Sequence, residues 1–158
     1  MKKYAPIIFL VLSFLLAGCS AAKANEPDPT PAGPEQEAGP ALDAALSRYD
    51  EQGAISVTVT PISLEVLGES LEFDVVLDTH SVDLGMDLAP LATLGTDSGM
   101  KVQALKWDAQ PGGHHVQGTL VFPASVDGKP LLDGVSQLTM TIKELDATER
   151  VFTWEISP

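Results

Sequence analysis

Apolar and polar residues alternate through the chain from about residue 55 onward. The alternation is regular in five stretches, each of which predicts a half-buried β-strand; these are residues 55–60, 71–77, 116–122, 138–143 and 152–156. Residues 88–94 and 101–107 are less regular candidates, joined by turn-forming residues at 95–99. About seven short strands predict an all-β fold, a single immunoglobulin-like antiparallel β-sandwich that occupies residues 54–158.

Three segments of different composition precede the predicted sandwich. Residues 1–18 have two lysines and then an apolar run, which is typical of a secretory signal peptide and is shorter than the roughly 20 residues of a membrane-spanning helix. Residues 19–40 are rich in alanine, proline, glycine and acidic residues, and this composition predicts a disordered tether. For residues 41–53 we expect a short helix or linker, because four apolar residues would share one helix face: Leu42, Ala45, Leu46 and Tyr49.

The signal peptide ends in Leu16, Ala17 and Gly18, followed by Cys19. These residues resemble the lipobox of bacterial lipoproteins. The resemblance implies cleavage before Cys19, acylation of its sulfur and its new amino group, and a lipid-anchored protein on the extracytoplasmic side of the cell envelope, at the outer membrane if the cell has one. More than one acyl chain makes such anchoring stable. Cys19 is the only cysteine, so no thiol would remain for disulfides or thiolate chemistry.

The charge of the chain limits its partners. The whole chain has a formal charge of −13, and without the two lysines of the signal peptide it would carry seven basic and 22 acidic residues. So acidic a surface disfavours nucleic acids and anionic lipid head groups, and it suits cations or basic partners. An alternative explanation of the acidic surface is that it only keeps an exported, tethered protein soluble.

All three histidines fall in two predicted loops. His80 follows the second predicted strand, and His114 and His115 precede the fifth. Loops after the even-numbered strands of an antiparallel sandwich emerge at the same end, so we expect these loops to be neighbours, near a third loop at residues 146–149. Neutral imidazoles with one carboxylate are ligands that copper or zinc prefers. The sequence therefore predicts a divalent metal site with four candidate ligands: His80, His114, His115 and Asp78.

Several alternatives to this ligand set stay open. Asp83 or Asp108 could supply the carboxylate instead of Asp78. If the fifth strand begins at His114, strand alternation turns that residue toward the core and His115 outward. Both could then bind one ion only if the segment Gly112-Gly113 keeps them out of the regular pleat. The histidines and aspartates could also serve only to lock the loops by hydrogen bonds.

Two sequence segments carry a further resemblance. Residues 78–81 (Asp-Thr-His-Ser) and residues 107–115, with Trp-Asp followed by Pro-Gly-Gly-His-His, look like a recurring domain of exported, largely uncharacterised prokaryotic proteins. The resemblance covers roughly residues 57–156. The resemblance implies a β-sandwich with a shared site around those segments, and it implies no particular activity.

Two functions of different classes fit these observations. The sequence contains no nucleophile elbow, zinc-protease helix, phosphate loop or dinucleotide fingerprint, so we expect a binding protein and not an enzyme. The first function is a lipid-anchored envelope protein that binds a divalent metal, copper or zinc, through its histidine loops. The alternative is a metal-independent protein-interaction module of an envelope complex, which would use an edge strand or a loop surface.

Overall fold

The computed structural model describes residues 43–62, 64 and 68–156. Within these residues the chain forms two single-turn 3-10 helices, Ala44–Leu46 and Ala89–Leu91, and eleven strands: β1 (Arg48–Gln52), β2 (Ile55–Pro61), β3 (Ser70–Thr79), β4 (Ala92–Thr96), β5 (Lys101–Gln103), β6 (Lys106–Ala109), β7 (His115–Pro123), β8 (Ser125–Val126), β9 (Lys129–Pro130), β10 (Gln137–Lys143) and β11 (Glu149–Glu155). The predicted signal peptide (1–18), Cys19 and the tether (19–40) lie outside the described residues. No helix in the described part is long and apolar enough to cross a membrane.

Nine of these strands form two antiparallel sheets. The first sheet has the order β1-β2-β3-β7-β6, and the second has the order β11-β10-β4-β5. Strands β8 and β9 form a separate hairpin in the connection between β7 and β10. The orders β2-β3-β7-β6 and β11-β10-β4 are those of the two sheets of an immunoglobulin sandwich, and β1 and β5 extend its edges. The predicted fold class is confirmed.

A single hydrophobic core fills the space between the two sheets. Val75 of the first sheet and Met140 of the second are fully buried and belong to the same apolar cluster. The ring of Phe73 in β3 lies 5.4 Å from that of Trp154 in β11, a distance typical of packed aromatic pairs. The alternating apolar residues of both sheets therefore meet face to face, as a sandwich requires.

Residues 43–52 differ from the short helix expected within residues 41–53. Asp43 accepts a hydrogen bond from the Ala45 amide at 2.9 Å and caps one 3-10 turn, after which the chain enters β1. Strand β1 pairs with β2 along its whole length. The Leu46 carbonyl also accepts a 2.6 Å hydrogen bond from the indole of Trp154. These tertiary contacts outweigh the helical periodicity of so short a segment.

The candidate strand at residues 101–107 divides between the two sheets. Strand β5 belongs to the second sheet and β6 to the first, and the chain crosses between them at Ala104 and Leu105. The Ala104 amide donates to the Ala92 carbonyl at 3.1 Å, and the Leu105 amide donates to the Val121 carbonyl at 2.7 Å. The crossing therefore stays hydrogen-bonded to both sheets. This division, β1 and the β8-β9 hairpin account for the strands beyond the seven predicted.

Candidate functional site

The two histidine loops lie side by side, as predicted. One follows β3 and the other leads into β7. Three backbone hydrogen bonds join the two segments: Thr79 N to His114 O (2.9 Å), Leu84 N to Gly113 O (3.0 Å) and Gly112 N to Leu84 O (3.1 Å). The carboxylate of Asp83 adds a fourth bond by accepting from the Gly113 amide at 3.1 Å. Asp83, one of the alternative metal ligands, is thus engaged in holding the loop.

Two glycines set the direction of the histidines that follow them. Gly112 and Gly113 have φ angles of 98° and 89°, in the left-handed region that side chains other than glycine disfavour. The regular pleat of β7 therefore begins only at His115, and His114 remains in the preceding bend with an exposed side chain. A strand that begins at His114 and turns it toward the core is therefore not what forms, and His115 points outward because Val116 after it is buried in the core.

Asp78 of β3 and His115 of β7 are direct cross-strand neighbours. The hydrogen bond between Thr79 and His114 makes the preceding pair, Asp78 and His115, a non-hydrogen-bonded pair, in which facing side chains come closest. Oδ1 of Asp78 contacts Nδ1 of His115 in a short hydrogen bond. Both side chains stay accessible, with exposed fractions of 51% for Asp78 and 66% for His115.

This hydrogen bond determines which nitrogen of His115 is available. The carboxylate of Asp78 accepts, so a neutral imidazole that donates to it carries its proton on Nδ1 and keeps a lone pair on Nε2. Metal-binding histidines commonly have a carboxylate on one ring nitrogen and the ion on the other. In this geometry Asp78 contacts the ring nitrogen opposite the one with the free lone pair.

His80 and Asp78 line one shallow groove on the outer face of the first sheet. The groove has a volume of about 240 Å³, and Tyr49, Glu51 and Ser56 also line it. The side chain of His80 is exposed. Asp78 therefore connects two of the predicted ligands, since it is hydrogen-bonded to His115 and shares a groove with His80.

Strand β1 contributes a pair of side chains that the sequence analysis missed. Tyr49 Oη donates a 2.8 Å hydrogen bond to Oε2 of Glu51. That hydrogen bond is the main cause that raises the pKa of Tyr49 above its ordinary value of 10.0, and the charges of Glu51 and Asp78 act in the same direction. Residues 48–52 show no alternation of apolar and polar side chains that would indicate a strand, and the helix expected at residues 41–53 placed Tyr49 on a helix face.

The third loop joins the same end of the sandwich, as predicted. The carboxylate of Asp146 accepts a 2.5 Å hydrogen bond from the Ala54 amide, and the Ala54 carbonyl accepts one of 2.7 Å from the hydroxyl of Thr79.

Asp108, the other alternative carboxylate ligand, lies on an edge strand. Its carboxylate pairs with Lys106 at 2.7 Å on the edge strand β6.

We term Asp78, His80, His114 and His115 the histidine corner. In the part of the chain that the structure describes, no three His, Cys, Asp or Glu side chains are grouped, as they stand, to hold a metal ion. The chain was compared with protein-family models, with curated proteins and with solved structures, and none of these comparisons returned a match. The histidine corner contains one imidazole oriented by a hydrogen bond, that of His115. It also contains the exposed imidazoles of His80 and His114, which lie on two segments joined by backbone hydrogen bonds.

Proposed function

We propose that this protein is a lipid-anchored binding protein of the cell envelope, and that its histidine corner binds a divalent metal ion, copper(II) or zinc. The observation that carries the proposal is the hydrogen bond between Asp78 and Nδ1 of His115, which leaves the Nε2 side of an exposed ring free. We propose a binding role and not a catalytic one, and we assign no catalytic residue.

His115 is the first ligand in this proposal, and Asp78 positions it. A carboxylate behind a metal-binding imidazole fixes the tautomer, orients the ring and increases its basicity, which is typically worth about ten- to hundredfold in metal affinity. Both residues belong to strands that pair at nine successive positions, β3 and β7. The sheet therefore holds this ligand in place before any ion arrives.

His80 and His114 complete the proposed set of nitrogen ligands. The His114 carbonyl accepts from the amide of Thr79, and Thr79 lies between Asp78 and His80 in the chain. Exposed imidazoles can change rotamer while the backbone stays fixed. Three imidazole nitrogens and a water molecule would satisfy a tetrahedral zinc ion, and the same nitrogens suit copper(II).

The experiment is a calorimetric titration of the soluble chain, residues 20–158, with copper(II), zinc and calcium. We expect one copper or zinc ion per chain, and loss of this binding in the triple variant H80A/H114A/H115A. Asp78→Asn should weaken the affinity by about tenfold or more, because the imidazole loses its charged partner.

The matched control is Gln117→Ala. Gln117 donates a 2.8 Å hydrogen bond to Asp74 between the same two strands, so its loss removes a cross-strand contact without touching an imidazole. This variant should bind metal as the unaltered chain does. Equal binding by the unaltered chain and the folded triple variant would contradict the metal proposal. The Asp78–His115 contact would then be a structural hydrogen bond only, as expected for the metal-independent interaction module.

A further inference from the structure

Strand β6 is an open edge of the first sheet. It stands last in the order β1-β2-β3-β7-β6, and among the described strands it pairs only with β7. The opposite edge strand, β1, is bridged to β11 by side chains. Arg48 donates to the Thr153 carbonyl at 2.9 Å, and Arg150 donates to the Gln52 carbonyl at 2.6 Å. An edge without such bridges presents its backbone N–H and C=O groups to any strand that fits beside it.

The residues along β6 are complementary to themselves. The stretch consists of Leu105, the residue just before β6, and the four residues of β6, Lys106-Trp107-Asp108-Ala109. In an antiparallel pairing of two copies centred on Trp107, Lys106 of each copy lies opposite Asp108 of the other. Trp107 then faces its own equivalent, and Leu105 faces Ala109. Directly opposed residues of an antiparallel pair point to the same face of the sheet, so both charged pairs fall on the outer face and the pair of Trp107 side chains falls on the inner face.

The exposure of these side chains suits such a pairing. Lys106 and Asp108 bond to each other within one strand and are 60% and 66% exposed, so each can exchange this contact for the same contact across the edge. Leu105 is 65% exposed, and Trp107 is only partly buried at the rim of the core. A strand added beside β6 would remove apolar surface of both residues from water.

We propose that two copies of this chain associate through antiparallel pairing of β6 with β6, which joins their first sheets into one continuous sheet. The contact is isologous, so it closes at the dimer. A strand of four residues makes a small interface, and the formal charge of −13 on each chain opposes association. Added salt should therefore strengthen the dimer by screening this repulsion.

The test is sedimentation equilibrium of the soluble chain in the presence of EDTA, so that metal plays no part. We expect a reversible monomer–dimer equilibrium at chain concentrations up to about 1 mM, the range of weak interfaces. Lys106→Asp or Asp108→Lys alone places like charges opposite each other at both pairs, and each should raise the dissociation constant at least about tenfold.

Two combinations test the register itself. The double reversal K106D/D108K should restore self-association, and an equimolar mixture of the two single variants should form a heterodimer. Lys129→Asp makes the same change in net charge on β9, away from the proposed contact, and should raise the dissociation constant much less than Lys106→Asp does. All these substitutions are at exposed positions, and the near-ultraviolet signal of buried Trp154 checks that each variant is folded.

Three results would overturn the proposal. The first is a chain that stays monomeric up to the highest concentration at high salt. The second is a Lys129→Asp variant that weakens association as much as Lys106→Asp. The third is a folded double reversal that does not recover self-association.

Discussion

Asp78 and His115 face each other across β3 and β7 with both side chains largely in water. An exposed polar contact of this kind contributes roughly 0 to 1 kcal/mol to stability. The same hydrogen bond favours one direction of the ring and the tautomer that carries its proton on Nδ1. At the residue scale, this contact therefore bears more on what His115 can bind than on how firmly the domain folds.

Tyr49 gives a second observable at the residue scale. It is the only tyrosine in residues 20–158, so its ionisation is read directly from ultraviolet absorbance. We expect Glu51→Gln to lower the pKa of Tyr49 toward its ordinary value of 10.0, because the charged acceptor of its hydroxyl is removed. Glu72→Gln, a substitution of the same kind elsewhere on the first sheet, should leave the titration unchanged. Identical titrations of the unaltered chain and Glu51→Gln would contradict the contact.

The sign of the stability effect follows from the raised pKa of Tyr49. The folded chain retains the Tyr49 proton to a higher pH than the unfolded chain does. The resulting contribution to stability is fully present below the unfolded pKa and is lost as the pH rises through the folded pKa. Stability of the unaltered chain should therefore decline more steeply above pH 10 than that of Glu51→Gln, as measured by urea unfolding at several pH values.

At the element scale, the seam between β1 and β11 depends on one buried cation. Arg150 is fully buried, and it donates hydrogen bonds to Asp50 (2.5 Å), to the Gln52 carbonyl (2.6 Å) and to the Leu145 carbonyl (3.1 Å). These three acceptors belong to β1 and to the loop before β11. One side chain thus joins the first strand of the domain to the last.

Removal of this cation should loosen the seam. We expect Arg150→Met to lower the free energy of unfolding by about 3 kcal/mol or more, because Asp50 and two carbonyls lose a buried partner. Urea unfolding measures the loss. Lys129→Met, which removes an exposed cation, should change the free energy by less than about 0.5 kcal/mol. Equal stabilities of the two variants would show that Arg150 does not hold the seam.

The elements differ in how far the sequence could predict them. Regular alternation predicted the long strands, such as β3 and β7, because each buries one face in the core. Strand β1 was missed, because its existence depends on pairing with β2 and on the bonds from Arg150. Gly118 shows a similar limit: a Cβ there would lie 2.6 Å from the Asp108 carbonyl oxygen and 2.9 Å from the Trp107 ring, and only the fold reveals that crowding.

The histidine corner was predictable in part. Strand parity placed the two histidine loops at one end of the sandwich, and this expectation is confirmed. The contact between Asp78 and His115 required the register of β3 against β7, which no residue pattern encodes by itself. The role of Asp83 in holding Gly113 likewise depends on the path of the loop.

At the scale of the whole molecule, the proposed lipid anchor determines where the sandwich is. We expect the full chain expressed in a bacterial host to fractionate with membranes, and Cys19→Ser to move it to the soluble fraction because it removes the acylated sulfur. Ser20→Ala, at the adjacent position, should remain with the membranes. Membrane association of Cys19→Ser equal to that of the unaltered chain would contradict lipidation at this residue.

The proposed metal site is tested most directly by the ¹⁵N resonances of the histidine side chains in residues 20–158 during a zinc titration. We predict that Nε2 of His115 responds up to one equivalent of zinc, that His80 and His114 respond over the same range, and that Nδ1 of His115 stays protonated against Asp78. An Nε2 resonance of His115 that does not change at saturating zinc would contradict the site.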